Sequence, residues 1–444
     1  MLVLKLKKVH ARNFKSLRDC KLELGTLNVL VGANASGKTN LVDLFILLRK
    51  IYAEKDINPF RYWWGYGNAV WNRDESLEIS VRFTFDFVSE KRTHNVIFET
   101  TFTGVGGRFE ILREMLEIKD ILTLELEGGL LTVRHDEKYI DSIWDTIEEL
   151  KTKMIHPYFM RKLKRIEKSD LFEQTTQLPY KSLFQLQPLY FRFLGHYCLT
   201  IIEPRHFEEQ EGAFIITPIV EPLVYRRRTR VEPSLLAHIL RNLEEWFSKI
   251  IILKLNIHEI KRPSTEKKET WLSEDGANLN AILYSLFLKE GRIPERIATI
   301  ISYLFPEVNI MFSLTEDQRV YIKIREDTLE LPPPNVSDGL YKVLAVLAAL
   351  ELKPSILVID EIENSLHPRT LETILDEFKS SETMVIMTTH SPVVVDMTDP
   401  KDLVLVEKIA GETKFRRIKK PEEIKKKLHE AGITFSEGWL YGKL

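Results

Sequence analysis

Apolar and polar positions alternate in two N-terminal runs, Val3–Val9 and Lys21–Val31, and this alternation predicts two strands. The second run leads into a glycine-rich turn. The next segment, Asn40–Lys50, has apolar positions on nearly all faces, which predicts a buried helix. Four further alternating stretches with glycine-rich turns between them predict an antiparallel β subdomain. These stretches are Leu77–Phe87, Asn95–Phe102, Arg108–Ile118 and Ile121–Val133.

From about Tyr139 to Glu307 the apolar spacing becomes helical and is accompanied by charge runs, which predicts a mainly helical insertion. No apolar heptad persists over several turns there, so a compact domain is expected and not a long coiled coil. A hairpin-like pair, Val308–Leu314 and Arg319–Arg325, predicts a return to β structure. Three consecutive prolines at 332–334 then predict a loop, because proline is incompatible with a helix interior.

Beyond the prolines, the segment Leu340–Leu352 predicts a helix, and the runs SILVIDEIE and MVIMTTHSP each predict a short apolar strand. Apolar strands of this kind are typical of a parallel sheet covered on both faces. The expected architecture is therefore an α/β core split by the helical insertion. The expected domains are an N-terminal lobe at 1–138, the insertion at 139–307 and a C-terminal lobe at 308–444.

Composition narrows the class of protein. The chain has 444 residues and 44% hydrophobic content, which predicts a globular protein of more than one domain. Its formal charge of -2 provides no global attraction to nucleic acid or membrane. Cys20 and Cys198 are the only cysteines, which argues against a disulfide framework or a thiolate zinc site. With no signal peptide or apolar run long enough to span a bilayer, a cytoplasmic protein without membrane contact is expected.

The turn GANASGKT, at Gly32 to Thr39, has the spacing of a phosphate-binding loop. Its glycines allow backbone N–H groups to approach phosphates, Lys38 can reach the β and γ oxygens, and Thr39 can bind magnesium. An accidental glycine-rich turn is the alternative, but the flanking strand and helix favour nucleotide binding. The residues expected to bind ATP here are Gly32, Asn34, Ser36, Gly37, Lys38, Thr39 and Asn40.

Two further sites follow apolar strands. Asp360 and Glu361 end the ILVIDE strand, at the edge where ligands bind such sheets. We expect Asp360 to hold Mg²⁺ and Glu361 to orient the attacking water; two acids at a strand end exposed to solvent are the alternative. His390 ends the TTHSP strand, 30 residues after Asp360, which leaves room for one helix between neighbouring strands. It is expected to sense the γ-phosphate or to help position the water, unless it is an ordinary strand-end histidine.

Ser337 and Gly339 precede the predicted helix, and Ser337 is a suitable N-cap. The order GANASGKT, NVSDG, ILVIDE, NSLHP and TTHSP resembles that of ABC-type ATPases of the SMC, RecF and OLD group, in particular the stand-alone RecF/OLD-like AAA family ATPases without a Toprim domain. The resemblance implies a split ABC-type P-loop ATPase head. It also implies that Ser337 and Gly339 contact the γ-phosphate bound by a second copy, so that two heads enclose two ATP molecules.

The resemblance extends to VHARNFKSLRD at 9–19, EDGANL at 274–279 and EGWLYGKL at 437–444, and it is weakest between about Tyr139 and Ser273. One expected element is missing: the region from Asn40 to Phe172 has no glutamine that could form a glutamine loop. The candidates for that role have no clear context and leave it unassigned. They are Gln174, Gln177, Gln185 and Gln187.

Three basic clusters, Arg226–Arg230, Arg161–Arg165 and Lys425–Lys427, are candidate contacts for nucleic-acid phosphates, although most such runs are solvated helix faces. The leading functional hypothesis is an ATP-hydrolysing, ATP-dependent dimerising switch that uses ATP and Mg²⁺ in DNA repair, recombination or defence against foreign DNA. Its possible partners are a second copy, DNA and an effector protein. The alternatives are the ATPase subunit of an OLD-like nuclease or of a toxin-type effector complex, and a transporter-type ATPase. Only 54 residues follow His390, too few for a Toprim nuclease domain.

Overall fold

The computed structural model describes residues 3–88, 93–141, 173–177, 182–193, 197–204, 213–218, 235–265 and 271–442. The chain divides into two compact units, the first formed by 1–23 and 56–246 and the second by 24–55 and 247–444. Among the described residues, no helix combines the length and the apolar character needed to cross a bilayer.

The described strands, in chain order, are β1 (Val3–Phe14), β2 (Leu17–Glu23), β3 (Leu27–Val31), β4 (Ile79–Val88), β5 (Thr93–Thr103), β6 (Glu110–Ile118), β7 (Leu122–Glu127), β8 (Leu130–His135), β9 (Glu173–Gln177), β10 (Leu186–Phe193), β11 (Tyr197–Pro204), β12 (Ala213–Pro218), β13 (Ile250–Leu253), β14 (Ser264–Thr265), β15 (Val308–Leu314), β16 (Arg319–Glu326), β17 (Leu329–Leu331), β18 (Ile356–Ile359), β19 (Met384–Thr389), β20 (Leu403–Ile409) and β21 (Glu412–Arg417). The described α-helices are α1 (Lys38–Tyr52), α2 (Tyr66–Ala69), α3 (Leu235–Ser248), α4 (Ile257–Ile260), α5 (Leu279–Glu290), α6 (Glu295–Leu304), α7 (Asp338–Glu351), α8 (Pro368–Ser380), α9 (Pro392–Met397), α10 (Pro421–Glu430) and α11 (Phe435–Leu440).

The first unit contains an antiparallel sheet of eight strands in the order β2-β1-β4-β5-β6-β7-β8-β9. Strict alternation in β4 places Phe83, Phe85 and Phe87 on its fully buried face. Trp246 packs on two of these rings, with its centroid 5.8 Å from that of Phe83 and 5.2 Å from that of Phe85. The predicted antiparallel β subdomain is therefore confirmed. A separate sheet of three strands has the order β10-β11-β12.

The second unit is built on a six-stranded sheet in the order β13-β18-β19-β3-β20-β21, in which only the β20–β21 pair is antiparallel. Strands β3 and β18 are buried at every position and are apolar except for Asn28, as expected for a sheet covered on both faces. Helix α7 is buried continuously from Leu340 to Leu350. A smaller antiparallel sheet, β14-β16-β15 with β17 beside β16, contributes Ile322 and Ile324 to the same core.

Two predicted strands are divided in the structure. Lys21–Val31 forms the end of β2 and all of β3, which belong to different sheets. The side chain of Asn28 stabilises the turn between them by accepting from the N–H of Gly25 and donating to its carbonyl, at 2.8 and 2.9 Å. Ile121–Val133 is split into β7 and β8 by Gly128 and Gly129, both at positive φ. The alternation of apolar positions predicted the residues of these strands, but it treated each pair as one continuous strand.

The described part of 139–307 contains the strands β9 to β14 as well as the helices α3 to α6, so strands interrupt the region that was expected to be mainly helical. Residues 142–172, which carry much of the predicted helical pattern, lie outside the described residues. The boundaries of the compact units also differ from the predicted lobes, because 24–55 is grouped with the C-terminal strands and not with the β subdomain. The lobe boundaries at 138 and 307 stay a prediction.

Candidate functional site

The register of the central sheet brings three sequence motifs to one edge. Thr389 lies beside Val31, and Ile359 lies beside Met387, so β3, β18 and β19 end at nearly the same level. The residues that follow these strands are Gly32, Asp360 and His390. Because the strands are parallel, their carboxyl ends form the edge at which ligands bind in such sheets.

The phosphate loop approaches a neighbouring strand so closely that Gly32 has no room for a side chain. A Cβ there would lie 2.2 Å from the carbonyl oxygen of Val406. Gly37 has φ 106°, a conformation that favours glycine, and directly precedes α1. The Thr413 hydroxyl donates to the carbonyl of Ser36 at 2.9 Å, which fixes the loop to β21.

The predicted loop residues differ in exposure: Ser36 and Lys38 are buried, Asn40 is partly exposed, and Asn34 and Thr39 are exposed. The Lys38 ammonium donates to the carbonyls of Gly32 and Ala33 at 2.8 and 3.0 Å. Burial lowers the pKa of Lys38, while the charges of nearby acids oppose that shift. The lysine thus lies at the mouth of the loop, where a triphosphate would follow the N-terminus of α1.

Asp360 is held by two contacts at the end of β18. The Thr388 hydroxyl donates to its Oδ1 at 2.6 Å, and its own N–H donates to the carbonyl of Leu253 at 2.9 Å. Burial raises the pKa of Asp360, and both the Thr388 hydrogen bond and the charge of Lys254 act against that rise. A metal ion would lower it further, because a cation stabilises the ionised carboxylate.

Glu361 directs an exposed carboxylate away from a strained backbone at φ 51°. Its Oε2 accepts from the Asn364 amide at 2.7 Å. Its Oε1 lies 3.8 Å from His390 Nε2, and His390 Nδ1 lies 3.4 Å from Lys38 Nζ. Because the lysine ammonium can only donate, His390 Nδ1 is the acceptor in this contact. Glu361, His390 and Lys38, which were predicted separately, therefore form one cluster.

Glu363 is an additional acid that the sequence interpretation missed. Its Oε1 accepts from the His390 N–H at 2.6 Å, and its Oε2 is buried with no hydrogen-bond partner among the described residues. It fixes the backbone of the histidine through one carboxylate oxygen, and its other oxygen is buried without a partner among the described residues. The signal was its position as the third acid in DEIE, two residues after Glu361.

Lys342 is the second functional residue that was missed. It is only 4% exposed, and its ammonium donates to the carbonyls of Glu361 and Asn364 at 2.8 and 2.9 Å. Burial lowers the pKa of Lys342 to about 8. The lysine joins α7 to the turn that carries Glu361. A single lysine in the otherwise apolar run LYKVLAVLAAL was the sequence signal.

Ser337 and Gly339 lie at the start of α7. The Ser337 hydroxyl accepts from the N–H of Leu340 at 3.4 Å, so the predicted N-cap is present, although the helix begins at Asp338. A Cβ on Gly339 would lie 2.8 Å from the carbonyl oxygen of Ser365. No hydrogen bond between described residues joins Ser337 or Gly339 to the Lys38 cluster, and their contact with a nucleotide stays a prediction.

The donor set suits magnesium. Asp360 supplies a buried carboxylate and Glu363 a buried unpaired oxygen, both hard ligands, and the exposed Thr39 supplies a hydroxyl next to Lys38. The described residues contain no group of three or more His, Cys, Asp or Glu residues that could hold a metal ion by themselves. Mg²⁺ commonly binds through one or two protein oxygens, waters and phosphates, so these residues fit it.

A cleft of ≈ 220 Å³ borders the acidic turn and is lined by Lys254, Lys342, Asp360, Glu361 and Asn364, among others. Among the described residues, its lining includes none from the phosphate loop. Lys254 lies 2.5 Å from Asp43 of α1, and Arg49 of α1 pairs with Glu274 of the EDGANL segment. These two ion pairs tie α1 to the segments around β13.

Some predicted elements lie elsewhere. The basic clusters 161–165 and 226–230 are outside the described residues, and Lys425–Lys427 is an exposed part of α10. The glutamine-loop residue stays unassigned. In EGWLYGKL, Glu437 completes a capping box with Thr434 at the start of α11. Glu437 therefore stabilises the N-terminus of α11. No hydrogen bond between described residues joins it to the Lys38 cluster.

Two family models match the chain. An "AAA ATPase domain" matches residues 4–187, and an "AAA domain, putative AbiEii toxin, Type IV TA system" matches residues 225–396. A comparison with curated proteins found no match.

Among solved structures, the chain is similar to an SMC head bound to the C-winged helix domain of ScpA, with 12% identity over 95% of this chain and 99% of that chain and a TM-score of 0.49. It is also similar to the SMC head domain from Thermotoga maritima, with 14% identity over 94% and 99% and a TM-score of 0.39. A third match is the Smc head domain with an extended coiled coil bound to the C-terminal domain of ScpA, from Pyrococcus furiosus. It has 14% identity over 97% and 100% and a TM-score of 0.45.

The two AAA models match in succession along the chain, one over the phosphate loop and the other over Asp360, Glu361 and His390. The fold brings these residues to one edge of a parallel sheet, next to α1. Taken together, the two successive domain matches therefore identify the chain as an AAA-type ATPase.

Proposed function

We propose that the protein hydrolyses ATP at a composite site formed by two copies, and that the ATP-bound closed dimer and the open form are the two states of a switch. The observation that carries the proposal is the convergence of Lys38, Glu361 and His390, with 3.4 and 3.8 Å separating the histidine from its two neighbours. A cation, a base and a polar sensor at one strand edge are the groups that phosphoryl transfer to water needs.

In this proposal Lys38 and the N–H groups at the start of α1 bind the triphosphate. Glu361 accepts a hydrogen bond from the attacking water, whose oxygen bonds to the γ-phosphorus as the bond to the β–γ bridging oxygen breaks. The water's proton passes towards the carboxylate, and ADP leaves with the electron pair of the broken bond. Thr39, Asp360 and the free oxygen of Glu363 would hold Mg²⁺, which neutralises developing charge on the phosphates. His390, fixed by Glu363, donates through Nε2 towards Glu361 or the γ-phosphate.

The dimer is supported by the placement of Ser337 and Gly339. Ser337 caps a well-formed helix and Gly339 lies in its first turn, at an N-terminus that favours an anion, and Ser337 is exposed. By resemblance to the ABC group, they would contact the γ-phosphate bound by the second copy. Moving a two-state equilibrium from 1:99 to 99:1 takes about 5.5 kcal/mol, and two bridged triphosphates are a plausible source.

We further propose that the switch acts in DNA repair, recombination or defence against foreign DNA. A second candidate is the ATPase component of a toxin-type effector complex, which is favoured by the description "putative AbiEii toxin, Type IV TA system" of the model that matches 225–396. ATPase rates with and without duplex DNA across a salt series separate the two. Stimulation that fades with salt supports the DNA role, and no stimulation at any salt favours a protein partner.

The central test is Glu361→Gln. The variant should bind ATP like the wild type, hydrolyse it about 10²- to 10⁴-fold more slowly, and accumulate as a dimer on size exclusion with light scattering. Glu326→Gln, at an exposed position at the end of β16, is the matched control and should behave like the wild type. An unchanged turnover rate in Glu361→Gln would refute the role of Glu361. Slow turnover without dimer formation would refute the proposed ATP-dependent dimerisation but would still support the role of Glu361 in hydrolysis.

A further inference from the structure

The tip of the β1–β2 hairpin and the segment after α1 form an unusual surface in the first unit. The N–H of Lys15 donates to the carbonyl of Ala69 at 2.7 Å, and Phe14 forms an isolated bridge with Val70. The side chain of Asn13 donates to the carbonyl of Glu78 at 2.9 Å. The two segments are therefore one structured surface, and its side chains have defined neighbours.

Large aromatic side chains are concentrated there. Three of the seven tryptophans of the chain, at positions 63, 64 and 71, lie within nine residues. Trp64 is 91% exposed and Tyr62 is 44% exposed. Trp64 has φ 66°, and its N–H donates to the carbonyl of Arg61 at 3.0 Å, so its backbone is held in a turn while its ring projects into solvent. An indole presented in this way has both faces available for stacking.

Cations lie among these rings. The Lys15 ammonium lies 5.2 Å from the ring centroid of Trp63, and the Arg18 guanidinium lies 5.8 Å from that of Trp71. Segments 12–18 and 59–73 together contain five Arg or Lys residues and no Asp or Glu. Of the adjacent acids, Asp19 is paired with His10 and Arg12, and Asp74, which directly follows Arg73, accepts from Ser76. Within the two segments themselves the charged side chains are therefore all cationic, in a chain whose net charge is near zero.

We propose that this surface, the Trp64 patch (Lys15, Arg18, Arg61, Tyr62, Trp64 and Trp71), binds single-stranded nucleic acid. Exposed indole and phenol rings stack on unpaired bases, and interleaved lysine and arginine side chains contact the phosphates. A duplex offers phosphates but no free base faces, so the rings select the single strand. An acidic protein would satisfy the cations but would not explain why Trp64 is presented with both faces free.

The test is fluorescence anisotropy with labelled dT20, rU20 and a 20-base-pair duplex, from low to high salt. The wild type should bind the single strands more tightly than the duplex. Trp64→Ala should weaken binding between about fivefold and 150-fold, and Trp64→Phe should restore much of the affinity. Trp271→Ala is the matched control, because Trp271 is a 54% exposed tryptophan of the second unit. Comparing dT20 with rU20 distinguishes DNA from RNA.

Arg61→Gln should reduce the slope of log affinity against log salt by about 0.7, the value for one phosphate contact on a single strand. No binding of the wild type to either single strand, equal or tighter binding to the duplex, or wild-type affinity in Trp64→Ala would each overturn the proposal. The measurement is made without ATP and repeated with Lys38→Ala. Lys38→Ala removes the lysine of the phosphate loop and leaves the Trp64 patch intact, so it should bind dT20 like the wild type. The binding test therefore does not depend on whether the protein hydrolyses ATP.

Discussion

Lys342 offers a sharp test of how helix α7 is coupled to the turn that carries Glu361. Its ammonium is buried and stabilises two carbonyls of a turn in which Glu361 and Ser365 both have positive φ. We consider Lys342→Met, which preserves most of the side-chain volume and removes the charge and both donors. The paired control is Lys289→Met, at an exposed position at the end of α5.

Two opposing effects determine the stability of Lys342→Met. Loss of the donors leaves two carbonyls unsatisfied, which costs about 1–3 kcal/mol for each that stays buried. Loss of the charge removes a burial penalty. The pKa of about 8, against an ordinary value of 10.5, corresponds to about 3 kcal/mol at 1.36 kcal/mol per pH unit. Near neutral pH the two effects are of similar size, so we expect the free energy of unfolding to change by less than about 2 kcal/mol.

The pH dependence gives a clearer signal than the stability at one pH. Between pH 8 and 10.5 the unfolded chain binds more protons at Lys342 than the folded chain does, so this group makes stability rise with pH. Well below pH 8, Lys342 is protonated in both the folded and the unfolded chain, so the folded chain bears the full cost of burying the charged ammonium. Relative to Lys342→Met, the wild type should therefore gain about 2 kcal/mol between about pH 7.5 and about pH 9.5.

The assay is urea unfolding followed by tryptophan fluorescence at the two pH values, together with the ATPase rate. A difference between wild type and Lys342→Met that stays constant with pH would refute the titration of a buried ammonium. Lys342→Met should also lower the ATPase rate, because the turn that carries Glu361 loses its tether. A normal rate with the expected pH effect would show that Lys342 acts on stability alone.

The remaining predictions concern the loop and the metal ligand. Lys38→Ala should lose ATP binding in a calorimetric titration, and wild-type affinity would exclude the loop as the nucleotide site. Gly32→Ala should lower both the thermal midpoint and ATP affinity, because its Cβ would lie 2.2 Å from the oxygen of Val406. Gly25→Ala, whose Cβ would meet nothing closer than 3.6 Å, should resemble the wild type, and equal effects would contradict the steric argument. Asp360→Asn should raise the free energy of unfolding at neutral pH, because burial raises the pKa of the carboxyl and the native state loses stability as pH rises through it. The same variant should lose magnesium-dependent hydrolysis. A lower free energy of unfolding at neutral pH would contradict the inference that burial destabilises the ionised Asp360 carboxylate.

Local patterns were sufficient to predict the elements that carry the nucleotide cluster. Apolar runs ending in Gly32, Asp360 and His390 predicted parallel strands, and parallel strands bring their carboxyl ends to one edge. The alternation of apolar and polar positions likewise predicted β4 to β8, because successive side chains of a strand point to opposite faces of the sheet and only one of these faces is buried. In these cases a short contiguous segment contains both the apolar pattern of the strand and the polar residue that follows it.

Features that depend on distant segments could not be predicted in this way. The ammonium of Lys342 is satisfied by carbonyls 19 and 22 residues away, and a lysine in an apolar helix gives no local sign of which partner it has. Glu363 acquires its role only when β19 brings the N–H of His390 to it. The grouping of 24–55 with the C-terminal half likewise depends on the position of β3 between β19 and β20, which no window of sequence contains.

The position of β3 has a consequence for synthesis of the protein. Its partners, β19 and β20, are encoded more than 350 residues later; the side chain of Asn28, for example, donates to the carbonyl of Val385, 357 positions away. At about 5–20 residues per second, a nascent chain carries the mostly apolar strand LNVLV without either neighbour for roughly 20 to 70 s. The sheet that carries the phosphate loop is therefore completed late in translation, and a chaperone that covers β3 during this interval would protect it from aggregation.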